Sequence, residues 1–89
     1  MPIRLIFSQH ALGRLLQWQL DVAHVEVALA DGETIEEYDD GAKLILGRSG
    51  VRALHVVIRD EKSARFVITV YEPSPFKWDA AFRRRREDS

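Results

Sequence analysis

Residues 51–72, VRALHVVIRDEKSARFVITVYE, constrain the fold more than any other stretch of the chain. Two apolar runs, residues 54–58 and 66–71, are rich in β-branched side chains, and a charged connector, residues 60–64, separates them. β-branched side chains are stiff at χ1 and pack well on a pleated surface, so such runs favour extended backbone. Two of them joined by a short polar link read as a β-hairpin. Both runs are apolar at nearly every position, which predicts strands covered on both faces, at the centre of a sheet. A lone hairpin is marginal in water, so the remaining residues must supply further strands and a covering layer.

The flanking sequence offers both. Residues 2–7 are short and apolar, an edge strand or a lead-in. Ser8 is a good N-cap, and Leu12, Leu15, Leu16 and Leu20 follow at helical spacing, predicting a first helix over residues 9–20. Gly13 inside it costs about 1 kcal/mol relative to alanine, and would let a second backbone approach closely. Asp21 can cap a second helix over residues 22–30, which Asp31-Gly32 ends, Gly32 suiting a left-handed C-terminal position. Strands are predicted at residues 34–38, 42–47, 52–59 and 65–71, joined by the turn signals Asp39-Asp40-Gly41 and Ser49-Gly50. Short connections imply an antiparallel meander. Pro73 and Pro75 stop the last strand, after which Phe76, Trp78, Ala81 and Phe82 form an amphipathic turn or short helix. The expected fold is α+β: two N-terminal helices packed on a four-stranded antiparallel sheet, with a short C-terminal aromatic and basic helix or tail. The domain would span residues 1–82, and residues 83–89 would be a disordered basic tail.

The chain has 89 residues, enough for one compact core, and no cysteine. Disulfides, thiolate zinc sites and iron–sulfur clusters are therefore excluded. No apolar stretch reaches the roughly 18 residues of a membrane span, and the start lacks a signal-peptide pattern, so the expected location is cytoplasmic, with no membrane partner. Thirteen basic residues balance fourteen acidic ones, whereas a dedicated nucleic-acid binder usually carries a basic excess. The charges are segregated: residues 31–40 are mostly acidic and residues 77–86 strongly basic, an arrangement that can steer partners at near-zero net charge. The bland reading is that both are solvated surface.

Candidate chemistry comes from helix spacing and strand parity. His10 and Arg14 lie four apart, on one side of the first helix; a guanidinium can clamp an anion while an imidazole moves protons. Alternation puts Leu54, Val56 and Ile58 of the third strand, and Phe66, Ile68 and Val70 of the fourth, on the face toward the helices. The other face then gathers His55, Arg59, Arg65, Thr69 and Tyr71 in contact with solvent. That surface could act as an anion-binding, ribonuclease-like site, and is equally what a plain solvent-facing sheet looks like. His10, His24 and His55 have no recognisable ligand spacing, so no metal and no other cofactor is expected. A capping role accounts for Ser8. Arginines 83–86 after Trp78 and Phe82 could contact RNA by phosphate pairing and stacking, with Arg83 and Arg84 as substrate-binding residues. A solubilising tail is the alternative. Trp18 and Trp78 are expected in part of the core.

The chain also resembles a family. Ser8-x-His10-Ala11-x-x-Arg14, then Gly32-Glu33-x-Ile35-Glu36-x-Tyr38, Leu54-His55-Val56-Val57, Ile68-Thr69-Val70-Tyr71-Glu72-Pro73, Trp78 and Arg85 resemble, in order, the prokaryotic domain-of-unknown-function family DUF4258. Where that family usually carries Arg-Gly-Ile after the first helix, this chain has Trp18-Gln19-Leu20. The resemblance implies a layout like that of RelE-type and BrnT-type ribonuclease toxins, an analogy of fold and setting. It implies signature positions at His10, Arg14, Tyr38, His55, Thr69, Tyr71 and Trp78 without assigning them roles.

The leading functional expectation is a RelE-like, metal-free ribonuclease or toxin-related protein. His10 or His55 would serve as base or acid, Arg14 and Arg59 would stabilise the phosphorane, and Tyr71 would orient the substrate, with Thr69, Arg83 and Arg84 also in contact. The alternative is a non-catalytic protein-interaction module or a homodimer, in which residues 31–40 or the aromatic–arginine tail bind a cognate protein or a second copy.

Overall fold

In the computed structural model, residues 4–86 are described. They form β1 (Arg4–Phe7), α1 (Gln9–Trp18), α2 (Val22–Ala30), β2 (Glu33–Glu37), β3 (Lys43–Ser49), β4 (Arg52–Asp60) and β5 (Ala64–Tyr71). The sheet order is β1-β5-β4-β3-β2. β2 to β5 form the expected antiparallel meander. The sheet has a fifth strand, however: residues 4–7 pair parallel with β5, so it is mixed. A parallel neighbour requires a crossover, and here α1, α2 and three strands of the meander lie between the two partners in sequence.

The helices are set by their ends. Ser8 caps α1, its hydroxyl accepting from the Ala11 amide at 2.9 Å. The same hydroxyl donates to the Ile68 carbonyl at 2.9 Å, and the Ser8 amide donates to Val67, so one residue starts the helix and fastens it to β5. α1 ends at Trp18, two residues earlier than its apolar spacing suggests. Gln19 takes a left-handed conformation at φ 56°, and the Leu20 amide reaches back to the Leu15 carbonyl. This is the helix stop usually given to glycine. At α2, His24 Nδ1 accepts from the Asp21 amide at 2.9 Å, which assigns this histidine a capping role. Gly32 is not left-handed; instead, a Cβ there would come within 2.4 Å of Ile45 Cγ2.

The main core lies between the helices and one sheet face: Ala11, Leu15 and Leu20, with Val25 and Ala28, against Ile45, Leu54, Val56, Ile58, Val67 and Val70. α2 packs so closely on β3 that a Cβ on Gly47 would fall 1.9 Å from the Ala28 carbonyl oxygen. Nothing lies within 4 Å of a Cβ on Gly13, so the close approach expected there occurs at Gly47 instead.

Strict alternation fails on β5. Val57 pairs with Thr69, but Ile58 pairs with Val67, leaving Ile68 as the extra residue of a bulge. A bulge resets which face the following side chains address. Val67 is therefore sealed in the core, and Phe66, expected there, is 37% exposed.

The second sheet face is covered too. Leu44, Leu46 and His55 are buried on it, and the Trp78 ring packs edge-on against His55. The covering residues, 73–86, form a chain of turns closed by a bridge between Trp78 and Arg85, without the short helix that was one expectation.

Candidate functional site

β1 pairs only with Ala64–Val67 and leaves the remainder of β5 without a strand neighbour on that side. α1 begins at that point, and residues 73–86 return across the other face. Between them lies a groove of about 370 Å³ lined by Arg14 and Trp18 from α1, Tyr71 from β5, and Glu72, Ser74, Lys77, Trp78 and Arg85.

The charges in the groove divide into neutralised and free. Glu72 is engaged by Arg52, whose guanidinium also donates to the Trp18 carbonyl at 2.8 Å. Arg85 donates twice to Glu36, at 2.9 and 3.0 Å, while its guanidinium carbon lies 4.7 Å from the centre of the Trp78 ring. The Arg85 hydrogen bond is the main reason the Glu36 carboxyl is held below its usual range. Tyr38 donates to the same carboxylate at 2.7 Å, and burial together with that neighbour pushes its pKa up to about 12. Arg14 donates instead from Nε to His10 Nε2 at 3.3 Å and from Nη1 to the Gln17 side-chain carbonyl at 2.7 Å. Among the described residues neither Arg14 nor Lys77 makes an ion pair. Among the described residues the groove therefore carries two cations without an acidic partner, together with the Tyr71 phenol.

His55 stands directly behind that phenol. Its Nδ1 is 3.3 Å from the Tyr71 hydroxyl and its Nε2 is 2.9 Å from the Phe82 carbonyl oxygen. Its ring packs edge-on against Trp78 at 4.4 Å. A carbonyl only accepts, so Nε2 carries the proton and Nδ1 is free to accept from Tyr71. Burial disfavours the imidazolium and lowers the His55 pKa below its ordinary value. Burial also raises that of Tyr71. The expectation of a solvent-facing His55 is thus corrected. The residue is fully sealed, because the C-terminal segment covers a face that strand parity alone leaves open.

The other residues singled out from sequence are dispersed. His10 is exposed and meets the groove through Arg14. Thr69 shares the Tyr71 face by alternation. Arg59 does not join them: it pairs with Asp40 at 3.0 Å, four residues along β4 from His55, or about 13 Å at strand rise. Arg65 pairs with Asp60 at 2.7 Å. Arg83 is engaged by Glu33, and the Arg84 carbonyl accepts from the Asp79 amide at 2.9 Å. The acidic and basic blocks of the sequence thus meet within one molecule. β2 supplies Glu33 and Glu36, and the arginine run supplies their partners. Lys77 and Ser74 were not singled out; the signal available was the Phe76-Lys77-Trp78 interleaving just past two prolines. Among the described residues no three His, Cys, Asp or Glu side chains gather as a metal site, and no helix is long and apolar enough to cross a membrane.

The profile of a family described as "Domain of unknown function (DUF4258)" matches residues 7–72. No curated protein sequence matches the chain. Among solved structures, the Brucella abortus ribonuclease toxin BrnT superposes with a TM-score of 0.63 at 19% sequence identity, over 82% of this chain and 99% of that one. At that identity the likeness is one of fold.

Proposed function

We propose, from the premise that the chain belongs to the DUF4258 family, that it is a toxin-related domain that binds RNA in the groove between α1 and residues 73–86 and cleaves it without a metal. The observation that carries this reading is that Arg14 and Lys77, which make no ion pair among the described residues, line one groove together with Tyr71. Support also comes from the fold shared with a ribonuclease toxin.

On this reading the two cations hold a phosphate, and the Tyr71 hydroxyl, its one proton donated to His55 Nδ1, accepts from a donor group of the substrate and orients it. The adjacent 2′-hydroxyl attacks phosphorus. His10 takes its proton, the phosphorus–5′-oxygen bond breaks, and the departing oxygen takes a proton from solvent, leaving a cyclic phosphate. His55 acts through Tyr71 as a positioning residue.

The test is incubation of the purified protein with RNA and with ribosomes. The wild type should cleave, while a His10→Ala, Arg14→Ala double variant, altered only at solvent-accessible positions, should fold and lose cleavage. Equal activity in the two proteins would remove the enzymatic reading.

A second reading rests on a different observation. Leu12 and Leu16, one helical turn apart on α1, are 47% and 83% exposed. Such a stripe fits the apolar face of a cognate protein, as an antitoxin would be for a toxin-related domain, or a second copy. A Leu12→Lys, Leu16→Lys variant should then lose complex formation in sedimentation; unchanged assembly would set this surface aside.

A further inference from the structure

The turn that carries Lys77 into the groove also carries an aromatic side chain with nothing to pack on. Phe76 is 89% exposed, whereas Trp78, two residues later, is sealed against His55. A phenyl ring in water is unfavourable by roughly the transfer free energy of its apolar surface, and a loosely held loop would let it turn inward. This turn is tightly built. Pro73 and Pro75 restrict φ on either side of Ser74. The Ser74 hydroxyl accepts from the Phe76 amide at 3.1 Å, and its carbonyl accepts from the amides of Lys77 and Trp78 at 3.1 and 3.0 Å. Arg86 donates to the Pro75 carbonyl at 2.7 Å. The ring is thus held outward, in water, by the backbone of a turn whose Ser74 and Lys77 line the groove.

We propose that Phe76 is a stacking platform for an unpaired nucleobase of single-stranded RNA whose backbone lies against Arg14 and Lys77. The inference rests on the reading of the groove as an RNA site and adds the class of RNA. A flat, sequence-tolerant aromatic next to basic side chains is the pairing that binds single strands, since every base offers a π-face and its phosphate is about one nucleotide away. Duplex bases are already stacked and cannot reach the ring. Charge complementarity favours this occupant over an apolar protein segment, for Lys77, next to Phe76 in the chain, and Arg14, which lines the same groove, have no carboxylate partner among the described residues. Phe76 would contact substrate without taking part in bond making.

The experiment measures fluorescence anisotropy of a labelled single-stranded RNA oligonucleotide, with a duplex of the same sequence and inorganic polyphosphate as competing probes. Phe76→Ala, a change at an exposed position, should weaken single-strand binding by roughly 5- to 150-fold, the fold-change that stacking one base represents. Phe76→Trp should restore it, and polyphosphate affinity should stay the same in all three proteins. Single-strand affinity unchanged in Phe76→Ala, while Arg14→Ala and Lys77→Ala weaken it, would overturn the stacking role and leave the groove reading standing. Failure of the wild type to bind either RNA or polyphosphate would overturn both. A wild type that prefers the duplex would overturn the single-strand assignment alone.

Discussion

Nε2 of His55 donates to the carbonyl oxygen of Phe82 across 2.9 Å, and this contact fastens the C-terminal segment to the centre of the sheet. Phe82 is held at φ 60°, a left-handed conformation that side chains other than glycine adopt at a cost. The imidazole that anchors it is buried and neutral. Its pKa lies below the ordinary 6.5, chiefly through burial, with the Phe82 carbonyl and Glu36 opposing and Arg85 assisting.

The sign of the pH dependence follows. Between the lowered folded value and 6.5 the unfolded chain binds more protons at His55 than the folded one. Stability is therefore fully present above that window and falls as pH decreases through it. Urea denaturation at about pH 7.5 and about pH 5 should show this loss, and His55→Gln should show a smaller one. An equal loss in both proteins would mean that His55 does not titrate in the way its burial requires.

Gln19 occupies the left-handed stop of α1, the helix corner at which the family's usual tripeptide carries glycine. Gln19→Gly should raise stability by about 1 kcal/mol, because it removes the steric cost of positive φ by more than it adds unfolded-state entropy. Thermal unfolding at fixed pH reads this directly.

Two glycines should respond to alanine with opposite signs. Gly13→Ala adds a methyl to open space in a helix and should stabilise by about 1 kcal/mol. Gly47→Ala would place its methyl 1.9 Å from the Ala28 carbonyl oxygen. α2 would have to lift from β3, at a cost of about 3 kcal/mol or more. Denaturant midpoints of the two variants should move apart on either side of the wild type.

Arg85, Glu36 and Trp78 form one unit through a bidentate pair and a cation–π contact. The arginine is more than half exposed, so screening limits the pair to about 1 kcal/mol. A double-mutant cycle of Glu36→Gln and Arg85→Ala should return a coupling of that size, diminishing with added salt. Glu36→Gln should also bring the Tyr38 pKa down from about 12, since that carboxylate contributes to holding it up.

The cations of the groove make a separate, quantitative prediction. Arg14→Ala and Lys77→Ala should each lower the salt slope of single-stranded RNA binding by about 0.7, the value for one lost phosphate contact, and weaken all RNA sequences alike. Arg59→Ala should leave the slope unchanged, because that side chain sits with Asp40 outside the groove.

Local chemistry determined the secondary structure. Spacing of leucines with a serine cap defines α1, and the β-branched runs around a charged link define β4 and β5, because helix period, capping and strand propensity act within a few residues. Three decisive features lay beyond that range. The parallel pairing of residues 4–7 joins segments about sixty positions apart, and no local signal encodes a strand's partner. The bulge at Ile68 reverses the facing of Phe66 and Val67, a one-residue insertion visible only against the neighbouring strand. The sealing of His55 and the meeting of the acidic and basic blocks depend on where residues 73–86 come to rest. Parity can say that a side chain leaves one face of a sheet, but burial is decided by what the rest of the chain lays over the other.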